Sequence, residues 1–125
     1  MSDLNALMAA LAANSQDSGE ELEKPIQAKR LGAAYKRYAA CLEQIPFAVG
    51  SLVTPRKDAS VRGGGLPHVV LEVRNAAAPD FTGDFGAVTY GRRAQLRVAR
   101  MAKEDVVCYW VEAWEFEVWQ GGIAA

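Results

Sequence analysis

Few side chains in this sequence have the type and spacing that chemistry requires. His68 is the single histidine. It follows Leu66-Pro67 at the start of a strand-like run, and no second imidazole, thiol pair or acid cluster stands at ligand spacing, so a structural or surface role is expected over metal binding. Cys41 and Cys108 are the two cysteines. In a reducing compartment, thiols so placed are expected to stay free and mostly buried, without a disulfide. Gly63-Gly64-Gly65 lacks the Lys-Ser/Thr that completes a phosphate loop and does not open a helix. Asp84-Phe85-Gly86 spells a kinase triplet with no other kinase element around it, and no serine sits in a Gly-x-Ser-x-Gly setting. Glu115 and Glu117 share one face of a strand, where a solvated edge that discourages strand association is the expectation. The reading is a protein that is not an enzyme, with no catalytic residue, no metal and no cofactor.

Two constellations suit binding instead. One is basic: Lys29, Arg30, Lys36 and Arg37 share a helix back, Arg92, Arg93, Arg97 and Arg100 enter or lie on a later strand, and Arg56, Lys57 and Arg62 frame the glycine run. With Tyr90 and Trp110 as stacking platforms, this would be a nucleic-acid surface. The other is aromatic: Trp110 and Trp119 are expected to point away from the core, with Trp114 in the turn between them, as interface anchors. The plainer alternatives are a solvated helix back and an aromatic face covered by Tyr35 and Tyr38 of the helix.

The net charge of −1 conceals a partition. Residues 1–23 carry five acids and no base, residues 24–103 carry all fourteen Lys and Arg against five acids, and residues 104–125 carry five acids and no base. The ends can neutralise the body from within, or the body can present a basic face to an anionic partner.

The elements that must position these residues follow from periodicity. Leu4, Leu7, Met8 and Leu11 form one face of a short helix over 3–13, with a polar linker through residue 19. So short a helix is marginal alone, so the stripe is expected to dock on a partner. A second helix is predicted over 20–44, capped by Ser18 with Glu21 in the capping-box position, or beginning firmly at Pro25. Leu31, Ala34, Tyr35, Tyr38, Cys41, Leu42 and Ile45 share its apolar face, and Pro46 ends it. From Phe47 the period becomes that of strands. Strands are expected over 50–56, over 68–74 with Val69, Leu71 and Val73 on one face, over 93–101 and 106–111, and over 115–119 with Phe116 and Val118 inward. Loop 57–67 is glycine-rich. Loop 75–91 is long enough that local structure or function is expected in it. Residues 102–105 make a four-residue hairpin loop that pairs Met101 with Val106, Ala99 with Cys108 and Arg97 with Trp110, leaving Leu96, Val98, Tyr109 and Val111 on an apolar face. Glu112 to Trp114 form a single helical turn.

The segments GSLVTPR (50–56), LPHVVLEVR (66–74) and CYWVEAWEFEVW (108–119) resemble an SH3-like β-barrel. The whole chain resembles small uncharacterised bacteriophage or prophage proteins, which pair a Leu/Ala-rich helix and a charged helix with a GDLV…P…VVEV stretch and an aromatic-rich ending. Ser51 stands where that pattern has Asp. The resemblance implies an α+β protein: N-terminal helices followed by a small five-stranded antiparallel SH3-like β-barrel. Its parts would be a helical arm and linker (1–19), an amphipathic helix (20–46) and the barrel (47–125). It implies a mobile-element origin and no activity of its own.

The functional expectation is therefore a non-enzymatic phage or prophage accessory protein that binds a protein partner of host or phage origin, as a virion or assembly component or an inhibitor of a host enzyme. Homo-oligomerisation is compatible with it. Leu4, Leu7, Met8, Leu11, Trp110, Trp114 and Trp119 would be the contact residues. The alternative is a nucleic-acid-binding module that uses Arg92, Arg93, Arg97, Arg100, Lys29 and Lys36. A hydrolase or transferase with its site in loop 75–91 is a third, weaker reading. No run of eighteen apolar residues exists, and the start MSDLNALMAALAANS lacks a basic signal segment, so no membrane association and a cytoplasmic place, in the host cell or the virion, are expected.

Overall fold

A computed structural model describes residues 21–121. The chain divides into two units, residues 1–33 and 34–125. The stripe Leu4, Leu7, Met8 and Leu11, the linker and the Ser18 cap lie outside the described residues.

Helix α1 spans Lys24–Glu43, shorter at its start than the predicted 20–44. Pro25 sits in its first turn, where a missing N–H costs no intrahelical bond. Pro46 disfavours helical backbone at the residue before it. The freed backbone groups at this end are satisfied from the sheet unit. The Ile45 N–H donates to Asn75 Oδ1 at 2.8 Å, and Gln95 Nε2 donates to the Cys41 carbonyl at 3.4 Å. Within the 34–125 unit the predicted stripe docks through its last turns. Cys41 and Ile45 are buried, and Tyr38 packs edge-on against Trp114 with ring centroids 6.2 Å apart. Tyr35 and Leu42 of the same unit are exposed. Amphipathic spacing shows which face is apolar, not how much of its length meets a partner surface.

The remaining elements are β1 (Leu52–Pro55), β2 (His68–Val73), β3 (Pro79–Asp80), β4 (Arg92–Arg93), β5 (Leu96–Ala102), β6 (Asp105–Val111), a 3-10 turn (Ala113–Glu115) and β7 (Phe116–Val118). Five strands form one sheet in the order β6-β5-β2-β1-β7, and β3 pairs with β4 separately. Every pairing is antiparallel. The fold is α+β as expected, but the five-stranded sheet is not closed into a barrel, because β6 and β7 are its two edges.

The β5–β6 register is the predicted one, running from Leu96–Val111 through Ala99–Cys108 to Met101–Val106. It continues to Ala102–Asp105, so Lys103 and Glu104 alone make the turn where a four-residue loop was expected. Lys103 takes the left-handed conformation (φ 59°) that such a tight connection requires. The β2 face is reversed. His68 and Val70 are buried rather than Val69 and Leu71. A register shift between Val70 and Glu72 then brings Val73 back against the core, as an inserted residue does in a bulge. The last elements shift too. The turn is Ala113–Glu115 rather than 112–114, and Val118, on the same face as buried Phe116 and opposite Val53, is exposed at the end of its strand.

Val53, Val70, Leu96, Val98, Val111 and Phe116, with Cys41 and Ile45, form the core. Full burial of each large apolar side chain contributes about 1.5–3 kcal/mol. Gln95, buried at 2%, joins this core to the turn: its Oε1 accepts from the Ala113 N–H at 2.9 Å while its Nε2 serves the helix end.

Candidate functional site

The most charged part of the interior lies where β4 meets the 3-10 turn. Glu112 precedes that turn and Glu115 ends it, and both are buried, at 8% and 2% exposure. Arg92 reaches both: its Nε lies 3.7 Å from Glu112 Oε1, and its guanidinium pairs with the Glu115 carboxylate. Glu112 also accepts from the Arg93 N–H at 2.8 Å and from the Trp114 indole N–H at 3.0 Å. Glu115 accepts from the Ser60 hydroxyl at 3.4 Å. The expected solvated edge is thus corrected: Glu115 is an internal counter-ion, and half-buried Glu117 pairs with Arg56 at 3.5 Å. A cleft of about 510 Å³ runs past this group, walled by Tyr38, Trp114, Tyr90 and Val88. Both carboxylates are held by positively charged, N–H or hydroxyl donors of the same chain, which suits a structural role better than proton transfer. His68 does not line this cleft.

The basic constellation is dispersed among intramolecular contacts. Arg93 Nη1 donates to the Ala77 carbonyl at 2.8 Å, Arg97 pairs with Glu72 at 3.4 Å, and Arg100 Nε donates to the Tyr109 hydroxyl at 3.2 Å. Arg37, placed by sequence on a solvated back, is part-buried and pairs with Asp58 at 3.2 Å. Lys36 is exposed, and Lys29 belongs to the 1–33 unit.

The tryptophans separate into different roles. Trp114, expected as a contact residue, is partly buried: it packs against the core and also lines the cleft beside Glu112 and Glu115. Trp110 is half-buried beneath the Arg74 guanidinium, 4.3 Å from its ring centroid, a cation–π arrangement. Trp119 donates through Nε1 to the Gly65 carbonyl at 3.1 Å and borders a second cleft with Pro55 and Val118. Cys41 and Cys108 are free, but Cys108 is exposed rather than buried. It sits on the outer face of an edge strand, where nothing in the alternation favours burial.

The exposed apolar surface that sequence reasoning missed is in loop 75–91. Phe81, Phe85 and Val88 are 60%, 80% and 88% exposed. The loop that carries them is internally bonded. Asp80 Oδ1 accepts from the Thr82 N–H and hydroxyl at 2.9 and 2.7 Å, and Asp84 Oδ1 from the Gly86 N–H at 3.0 Å. The Gly91 N–H donates to the Asp80 carbonyl at 2.6 Å, closing the loop beside the β3–β4 pair. Tyr90 packs against both phenylalanines, 5.3 Å from Phe81 and 6.2 Å from Phe85 between centroids. Gly91 is left-handed (φ 81°), and a Cβ there would lie 3.1 Å from the Phe81 ring. The available signal was Asp-x-Thr and Asp-x-Gly in a stretch already marked as too long to be structureless.

Among the described residues no group of three or more His, Cys, Asp or Glu could hold a metal ion, and no helix is long and apolar enough to cross a membrane. No protein-family model, curated protein or solved structure matches the chain.

Proposed function

We propose that this chain is a non-enzymatic accessory protein that recognises another protein through loop 75–91. The observation that carries the reading is the exposure of Phe85 and Val88 on a loop whose own backbone and Tyr90 hold it in shape. Large apolar side chains cost solubility when exposed and mark interaction sites when they cluster. A loop ordered before binding loses less conformational entropy on docking, and aromatic residues on it serve as anchors. The fold reading that accompanies this is an SH3-like sheet left open. Its support is the strand order, in which the last strand returns beside the first after a 3-10 turn. The origin in a phage or prophage, and residence in the host cytoplasm or the virion, belong to the same proposal and rest on the sequence resemblance.

The test is capture of partners from host lysate by tagged full-length protein, with and without nuclease. A defined protein retained after nuclease supports the reading. Retention of nucleic acid alone, lost as salt rises, supports the alternative nucleic-acid module.

A further inference from the structure

Strand β6 is an edge of the sheet, and among the described residues nothing pairs with its outer side. Its orientation is fixed by one bond: the Val111 carbonyl accepts from the Gln95 N–H at 3.1 Å, so the Val111 backbone faces toward β5. The β5–β6 register runs to Ala102–Asp105 without a shift. Alternation then turns the backbone N–H and C=O of Val106, Cys108 and Trp110 toward the open side. This edge has seven residues, no proline and no bulge, and its one charge is Asp105 at the end. It lacks the devices by which natural sheets blunt a free edge. The opposite edge, β7, has three residues.

We propose that β6 pairs antiparallel with β6 of a second copy of this chain, joining two sheets across a two-fold axis. A symmetric contact requires that residue i meet j and j meet i. Full overlap of the seven residues of β6 puts Cys108 on the axis. Val106 then lies opposite Trp110 of the partner subunit, and Val107 opposite Tyr109 of the partner subunit. Outward-facing backbone groups meet outward-facing ones, which is the parity an antiparallel ladder demands. Within the seven residues of β6 no like charges oppose each other, because Asp105 meets the partner subunit's Val111. Met101 and Val106, 52% and 63% exposed, lie side by side on the sheet face that also carries Trp110 and would be covered across the axis. A hydrogen-bonded antiparallel pair holds its Cα atoms about 5.5 Å apart, within the disulfide range, so the two Cys108 thiols report the contact. Asp80 and Thr89 of loop 75–91 border a cleft with Trp110 and Val111 at one end of β6, but the pairing rests on the β6 backbone alone and is tested by variants outside the loop.

The experiment is sedimentation equilibrium of the full chain in reductant, for the natural sequence and for Cys108→Lys and Val106→Lys. The natural chain is expected to dimerise with concentration. Each variant, with circular dichroism and melting temperature preserved, is expected to be monomeric: Cys108→Lys sets like charges together on the axis, and Val106→Lys puts on the free edge the charged residue that blocks strand addition. A second readout avoids any doubt about variant folding. The diazene oxidant diamide takes up the two electrons and two protons of a pair of thiols, and should give a covalent dimer in Cys41→Ser and none in Cys108→Ser. A natural chain that stays monomeric, a dimer that survives both lysine variants, an assembly beyond the dimer, or cross-linking that needs Cys41 would each overturn the proposal.

Discussion

Nε2 of His68 lies 3.0 Å from the hydroxyl of Tyr109, an approach from β2 to β6 across the intervening β5. The partners fix the proton positions. Nδ1 faces the Leu66 carbonyl at 2.8 Å and must donate, so Nε2 accepts from the tyrosine O–H, whose oxygen accepts in turn from Arg100. The neutral imidazole fits this chain of bonds, whereas an imidazolium would have to turn the Tyr109 proton away and would add its charge beside Arg100.

Stability should therefore fall on mild acidification. Burial pushes the His68 imidazole below its ordinary value; the Leu66 carbonyl opposes the shift, and the Arg100 charge adds to it. Above the unfolded value near 6.5 both states are neutral and the contribution is complete. As pH falls below it, the unfolded chain takes the proton first, and stability is lost until pH passes the lower folded value. Urea unfolding at pH 7.5, 6.5 and 5.5 should show this decline, and a His68→Phe variant should show a flatter profile over the same range. Stability that rises on acidification in this window would contradict the network.

The Arg92 group should be a structural linchpin between loop 75–91 and the 3-10 turn. Arg92→Met leaves Glu115 buried without its counter-charge, a loss on the order of 3–5 kcal/mol. Arg92→Met combined with Glu115→Leu should recover part of that loss, since two apolar side chains leave no unpaired charge. Denaturant titration of the single and double variants measures the coupling. Additive losses would show that the two side chains act independently.

The thiols should react unequally. At dilutions that keep the chain monomeric, a thiol reagent should label exposed Cys108 rapidly and buried Cys41 only on unfolding. Burial also pushes the Cys41 thiol up, opposed by Arg37, which lowers its thiolate fraction. Equal labelling rates would show that α1 does not cover the core at Cys41.

The sequence carried the β5–β6 hairpin because Leu96, Val98, Tyr109 and Val111 alternate cleanly against residues that tolerate water. It misplaced β2 because the buried face there begins with a histidine, and polar residues are assumed outside until a partner is known. His68 became an inside residue through Tyr109, forty-one positions on. The charge partition was legible as intramolecular neutralisation: Arg56 with Glu117 and Arg92 with Glu112 and Glu115 realise it. That Glu115 would be nearly water-free was not legible, because a charge is buried only when tertiary structure delivers its counter-charge. The same limit hid the loop site. Phe81 and Phe85 read as generic apolar residues until the Asp80 and Asp84 turns and Tyr90 set them on one exposed surface.

If loop 75–91 docks on a protein, Phe85→Ser combined with Val88→Ser removes its exposed anchors and must weaken that docking. Both side chains are exposed, so folding stability should change by no more than about 0.5 kcal/mol. Captured beside the natural chain from nuclease-treated lysate, the variant should lose the defined protein that the natural chain retains. Retention of that protein at equal yield by the correctly folded variant would contradict the claim.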